Sequence, residues 1–332
     1  MLLSLAIAML FGSVGTVQAA EERNYLLATA STGGTYYPVG VALSTLVKVK
    51  LQPKQKIGMS AISSAGSGEN IKLLRENEVQ FAILQGLFGS YAWQGTGPIK
   101  SAGPQRNLRS VTMLWQNVEH FVVNKKFSKT GTVADLIGMK GESMALGTKN
   151  SGTIGSNTVL LGNLGIDVKT DYNLVYAGYG PSADALQNGQ VAGMGTPAGV
   201  PVSAVTKAMA NIGDDIVVLD LTDEQVKQAD GGMNLWTRYV VPAGTYPSQT
   251  KAINTIAQPN FLGVRADVDE DAVYQITKTI YENLPFLNAI HGATKAMGIE
   301  KAIAGLPMPL HPGAAKYYKE VGINVPARLL AN

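Results

Sequence analysis

The sequence predicts an α/β fold built as two lobes, and three observations carry that prediction. The chain has 332 residues, of which 45% are hydrophobic and 15% charged, enough for two cores and too apolar for long disorder. Short apolar runs alternate with amphipathic helical runs, the pattern of α/β layers with parallel strands. One unit, a strand followed by a glycine- and hydroxyl-rich loop and a helix, occurs at 26–47 and again at 143–164.

In order, the first half reads as a strand at Tyr25–Thr29, a helix at Tyr36–Lys50, a strand at Lys56–Ile62 and a helix at Gly68–Asn77. In that helix Ile71 and Leu74 are expected inward, and Asn70, Lys72 and Arg75 outward. Strands follow at Phe81–Leu84, Leu108–Met113 and Phe121–Asn124, with a helix at Phe88–Gln94. The second half has a short helix at Val133–Ile137, a strand at Ser143–Gly147, and a helix at Ile154–Leu164 closed by Gly165. Strands at Leu174–Tyr176, Val191–Met194 and Ile216–Leu219 alternate with helices at Ser182–Asn188 and Val202–Ala210. A strand at 236–241 leads to a tail, 267–332, that reads as mostly helical. The pattern changes at 121–124 and 237–241, which are expected to be the hinge strands. Lobe one is then 20–120 plus 237–332, and lobe two, 125–232, is an insertion.

Composition excludes several classes. With no Cys there are no disulfides, thiolate metal sites or cysteine nucleophiles. The net charge of +3 is mild and the basic residues are scattered, so no nucleic-acid partner is expected. Residues 2–19 are uncharged and end in Val17-Gln18-Ala19. That predicts a signal peptide over 1–19 and export to the periplasm, although the basic start of such a leader is missing. A monomer is expected, since no broad apolar face is evident.

Ligand chemistry is expected at strand ends, where open α/β sheets bind their ligands. In 31-STGGTYY-37, Ser31, Thr32 and Thr35 offer hydroxyls, Gly33 and Gly34 allow close backbone approach, and Tyr36 adds a phenol at a helix start. The alternative is an ordinary capped turn. Loop 63–70 repeats the chemistry with Ser64, Gly66 and Ser67. Gln85 is a lone polar residue ending an apolar strand, so it needs a partner, whether ligand or backbone. In the second half, Lys149, Asn150, Ser151, Gly152 and Thr153 form a further loop entering a helix, with a solvated side chain the alternative for Lys149. Thr196 and Pro197 end another strand. His120, His291 and His311 show no metal spacing, and no phosphate loop, nucleophile elbow or dinucleotide fingerprint is present. No metal, no cofactor and no catalytic set is expected: the pattern reads as a binder, not an enzyme.

The same loops carry a family resemblance. STGGTYYPVG, AGSGENIKLL, FAILQG, KNSGT, VPAGTY at 241–246 and LHPGA at 310–314, followed by Tyr317-Tyr318, occur in this order. Together they resemble the TAXI group of TRAP transporter solute receptors over about residues 24 to 325. The resemblance implies the two-lobed periplasmic binding protein fold (type II) and hinge closure around a small acidic organic solute such as glutamate or a 2-oxoglutarate-like dicarboxylate. It implies delivery to TRAP membrane permease subunits driven by an ion gradient. It places ligand contacts on Thr32–Tyr37, Ser64, Ser67, Gln85 and Ser151–Thr153. Lys149-Asn150 departs from the family's smaller residues there. A receptor for another organic anion such as a sulfonate, and an enzyme on the same fold, are the alternatives.

Overall fold

The computed structural model describes residues 22–330, so the leader expected at 1–19 lies outside the described residues. The first half contains β1 (Arg23–Ala28), α1 (Tyr36–Gln55), β2 (Ile57–Ile62), α2 (Ser67–Arg75), β3 (Phe81–Gln85) and α3 (Gly86–Gln94), then β4 (Leu108–Val118) and β5 (Phe121–Asn124). Next come β6 (Ser143–Ala145), α4 (Gly152–Asn163), α5 (Val168–Asp171), β7 (Asn173–Leu174), α6 (Tyr179–Gln187), β8 (Gly193–Gly195), α7 (Ser203–Ile212), β9 (Ile216–Val218) and α8 (Asp223–Asp230). The chain finishes with β10 (Thr237–Val241), β11 (Ile253–Arg265), α9 (Glu270–Glu282), α10 (Leu284–Ile290) and α11 (Pro312–Glu320).

These elements build two sheets. The first runs β10-β11-β3-β1-β2, with β4 on the other side of β11; the second runs β7-β6-β8-β5-β9. The expected α/β class is borne out, though not every strand is parallel. β1 pairs β2 and β3 in parallel, whereas β11 is antiparallel to β3, β4 and β10. β11 escaped the sequence reading altogether. Pro259 cannot donate to a ladder, and it is accommodated here by a register shift against β4 between Pro259 and Phe261. Its polar neighbours Gln258 and Asn260 are nonetheless fully buried. α8 was also missed, although Thr222 and Gln225 form a reciprocal capping box at its start.

Packing explains another departure. Asn70, expected outward, is fully buried because its amide donates to the Thr29 and Ile83 carbonyls, at 2.8 and 2.9 Å. It ties α2 to the carboxyl ends of β1 and β3. The core around it is apolar: Leu27, Leu43, Ile71, Leu74, Phe81, Ile83 and Leu84 are all 1% exposed or less.

The chain passes from the first sheet to the second at Glu119-His120 and returns between Val218 and Thr237. Both passages are pinned. The His120 imidazole bonds Val118 O at 2.9 Å through Nδ1 and the Tyr246 hydroxyl at 2.8 Å through Nε2. That hydroxyl accepts from Val202 N at 3.1 Å, so its own proton goes to Nε2 and Nδ1 carries the histidine's hydrogen. In the return passage the Asp230 carboxylate accepts from the backbone N–H groups of Asn234, Leu235 and Trp236, at 2.8 to 2.9 Å. Removing an acceptor that satisfies three buried or half-buried donors costs roughly 2 kcal/mol. Asp230→Ala should therefore lower the unfolding free energy by about that amount, read as a lower urea midpoint with an unchanged slope of the transition.

Candidate functional site

Five helices begin at one cavity, because the strand-to-helix turns of both sheets open toward the same seam. The residues preceding the helices are Thr35 (α1), Gly66 (α2), Gln85 (α3), Ser151 (α4) and Gly178 (α6), and all five line it. Of these caps only Ser151 spends its side chain on its own helix, accepting from Ile154 N at 3.1 Å. Thr35 instead donates to Gly199 O at 2.8 Å, across the seam. Gly66 has φ +115° and ψ −156°, a conformation open only to glycine, and this turns the start of α2 toward the cavity.

The cavity measures about 40 Å³, room for roughly three water molecules. Its walls include Ser31, Gly34, Tyr36, Ser67, Asn117, Gly152, Thr153, Tyr179 and Pro197, and among the described residues no Lys, Arg, His, Asp or Glu lines it. The seam is shut by hydrogen bonds from one side to the other: Tyr179 N to Ser31 Oγ at 3.2 Å, Glu69 N to Asn150 O at 3.0 Å and Ala204 N to Gly33 O at 3.2 Å. Burial pushes the Tyr36 and Tyr179 phenols well above their usual range, so both stay protonated and can donate. Tyr36 does so to Asn260 Oδ1, at 2.5 Å. The Tyr179 hydroxyl lies 2.7 Å from Thr153 Oγ1 and 2.6 Å from Pro197 O, and donating to the carbonyl leaves it free to accept from Thr153.

Two sheets, a double passage between them and strand-end loops meeting at one cavity invite comparison with known folds. The profile of the NMT1-like family matches residues 27–322. The chain belongs to the NMT1-like family. This NMT1-like chain is also similar in structure to periplasmic binding proteins. MatC from Rhodopseudomonas palustris with bound malate aligns with a TM-score of 0.56 at 13% identity, covering 90% of this chain and 99% of that one. PhnD1 from Prochlorococcus marinus in complex with methylphosphonate gives 0.55 at 12%, covering 90% and 96%. The periplasmic binding protein BugD gives 0.52 at 11%, covering 91% and 95%. At these identities the likeness establishes the fold, which is the two-lobed periplasmic binding architecture.

Of the residues singled out in the NMT1-like sequence, the structure brings Ser31, Gly34, Thr35, Tyr36, Ser67, Gln85, Ser151, Gly152 and Thr153 to the cavity wall, with Gly66 and Pro197. Thr32 is exposed, and Gly33 packs against the Gly180 backbone. Ser64 Oγ lies 2.6 Å from Asn70 Oδ1 and 3.0 Å from Thr29 O, sharing its one proton between them and bracing the loop from behind. Lys149 is exposed, its Nζ 5.2 Å from the Tyr176 ring centre. Asn150 is exposed too and joins the seam through its carbonyl. Thr196 is fully buried beside the wall. Sequence reasoning missed Asn117 and Tyr179. The signal for Tyr179 was present in 178-GYGP-181, a glycine turn with a proline opening a helix; Asn117, inside a long strand, carried none.

Proposed function

We propose that this chain is an extracytoplasmic receptor that closes two lobes over a small acidic solute and hands it to a membrane permease. The observation that carries the reading is the convergence of five helix N-termini, three from the first sheet's side and two from the second's, on a cavity with no charged side chain among the described residues. Partial positive charge at such termini attracts anions. At about 1 kcal/mol per terminus in a partly buried setting, five give a gross attraction of roughly 5 kcal/mol. Two hydroxyl hydrogen bonds to an anion, at about 1.5 kcal/mol each, bring the gross attraction to ~8 kcal/mol, of which the cost of ordering the complex takes a part.

The lobes of this proposal are 20–120 with 237–332, and 125–232, pivoting at the two pinned passages; hinge closure around a ligand is a common transition. The small anions named for MatC and PhnD1, malate and methylphosphonate, support an acidic solute. The ordered loop motifs support a TRAP permease of the TAXI kind as the partner. Export to the periplasm fits the uncharged leader-like start of the sequence. Among the described residues no helix is long and apolar enough to cross a membrane.

A thermal-shift panel tests the reading, because a ligand that binds only the folded state raises the melting temperature. Small carboxylates, sulfonates and phosphonates should include at least one that raises it, while neutral sugars and amines should not. A flat response to every anion refutes the proposal. Thr153→Val, which removes the hydroxyl beside Tyr179 while keeping the side chain's shape, should weaken the best anion about tenfold by calorimetry. Its melting temperature should stay close to wild type; equal losses in binding and stability would assign Thr153 to the fold alone.

A further inference from the structure

The cavity's donors come from helix starts and hydroxyls, but two buried carboxamides on its wall supply something different. Gln85 is 3% exposed and Asn117 is 1% exposed, and both line the cavity. Among the described residues Gln85 Oε1 has no hydrogen-bond partner, and neither polar atom of the Asn117 amide has one. They sit on flanking strands: Gln85 ends β3 opposite Asn260 of β11, and Asn117 lies in β4 opposite Gln258 of β11. The intervening amides are already committed through their oxygens, Gln258 Oε1 accepting from Leu87 N at 2.9 Å and Asn260 Oδ1 from Tyr36. Their nitrogens also lack a partner among the described residues, but neither residue lines the cavity; Gln85 and Asn117 do, and each brings an acceptor oxygen whichever way its amide is turned. Gly152 packs closely on the Gln85 amide: a Cβ there would stand 2.6 Å from Gln85 Oε1 and 2.9 Å from Ser67 Oγ.

Buried acceptors need donors. A plain carboxylate, an oxo acid or a fully ionised dicarboxylate offers only acceptors, so it can satisfy the helix N–H groups but leaves these oxygens unpaired. We propose that Gln85 and Asn117 form a donor-reading subsite, so that this receptor selects acids carrying a hydroxyl or ammonium group next to the carboxylate over their oxo and unsubstituted counterparts. The inference rests on the receptor reading above and narrows its solute class. A site built to pair a polar group rejects the analogue lacking it because its own groups are left unpaired, and one buried unpaired acceptor corresponds to roughly ten- to hundredfold in affinity.

Calorimetric titration of the full chain with matched acids tests this. One series is lactate, pyruvate and propionate; the other is glutamate, 2-hydroxyglutarate and 2-oxoglutarate. In at least one series the hydroxy or amino acid should bind ten times more tightly than its oxo or unsubstituted partner. Gln85→Met and Asn117→Leu, which keep approximate volume but remove the acceptor, should shrink that ratio to about threefold or less. Wild-type protein that binds the oxo or unsubstituted acid as tightly, or more tightly, overturns the subsite and leaves the receptor reading standing. Binding of none of these acids, nor of any sulfonate or phosphonate, removes both. Should a variant fail to fold, the wild-type ratio alone decides.

Discussion

Glu119→Gln should make the protein more stable in mild alkali, by an amount of the order of 4 kcal/mol near pH 8. Glu119 stands where the chain leaves the first sheet for the second, 1% exposed, with no partner among the described residues for either carboxylate oxygen. Burial pushes its carboxyl up to about 8 from an ordinary 4.5. The Trp236 indole draws it partly back without reaching hydrogen-bonding geometry, since that N–H is itself unpartnered. A folded pKa above the unfolded one means that the native state holds a proton the unfolded state gives up. The stabilisation is therefore full below pH 4.5 and is lost progressively as pH rises to about 8. Each pKa unit is worth about 1.4 kcal/mol, and the span of the shift sets the figure above. Gln stays neutral throughout and should flatten that limb. His120, next in sequence, acts on the other side: burial lowers it to about 4 from 6.5, so its contribution is present above pH 6.5 and lost as pH falls toward 4. Melting temperatures from pH 4 to 9 should peak in mild acid for the wild type and stay high to pH 8 in the variant. An alkaline limb that declines equally in both proteins would remove Glu119 as its cause.

The chemistry that was legible in the sequence is local chemistry. Helix starts, hydroxyl caps and close backbone approaches are dictated by a few consecutive residues, so 31-STGGTYY-37, 63-SSAGSGEN-70 and 149-KNSGT-153 stood out without any tertiary knowledge, and the α/β class followed from alternation. What could not be read is set by the partner surface. Nothing in Lys149 itself says that it lies over Tyr176 in solvent, outside the cavity wall. Asn70 looked like a solvent-facing helix residue because its period matched, yet two carbonyls of the neighbouring strands claim its amide. β11 was hidden by Gln258, Pro259 and Asn260, a run whose composition argues against a strand. It is central because a bulge absorbs the proline and because polar groups are wanted beneath the cavity. Asn117 belongs to the same class: it is unremarkable inside β4 until β3 and β11 place Gln85 beside the same hollow.

Gly68→Ala should separate closure from folding, with affinity falling thirtyfold or more while the melting temperature holds or rises slightly. Gly68 lies in the first turn of α2, where alanine is the better helix former by about 1 kcal/mol; on its own side a Cβ would stand 3.3 Å from the Phe88 ring, which need give by only a few tenths of an ångström. A Cβ there, however, would stand 2.3 Å from Asn150 O and 3.1 Å from Asn150 C, which are backbone atoms of the opposing loop. That carbonyl is the acceptor for Glu69 N, one of the bonds that shut the seam. The methyl group must push the two sides apart, and a ligand that gains its contacts only in the closed state then binds at the cost of closing them. A penalty of 2 to 3 kcal/mol on closure, the ordinary cost of overpacking, is about 30- to 150-fold in the dissociation constant. Gly162→Ala supplies the control. It is also a helical glycine, in α4, but a Cβ there meets nothing within 4 Å, so it should leave affinity unchanged. If Gly68→Ala binds the best anion as wild type does, the contact between Glu69 and Asn150 is not part of ligand capture.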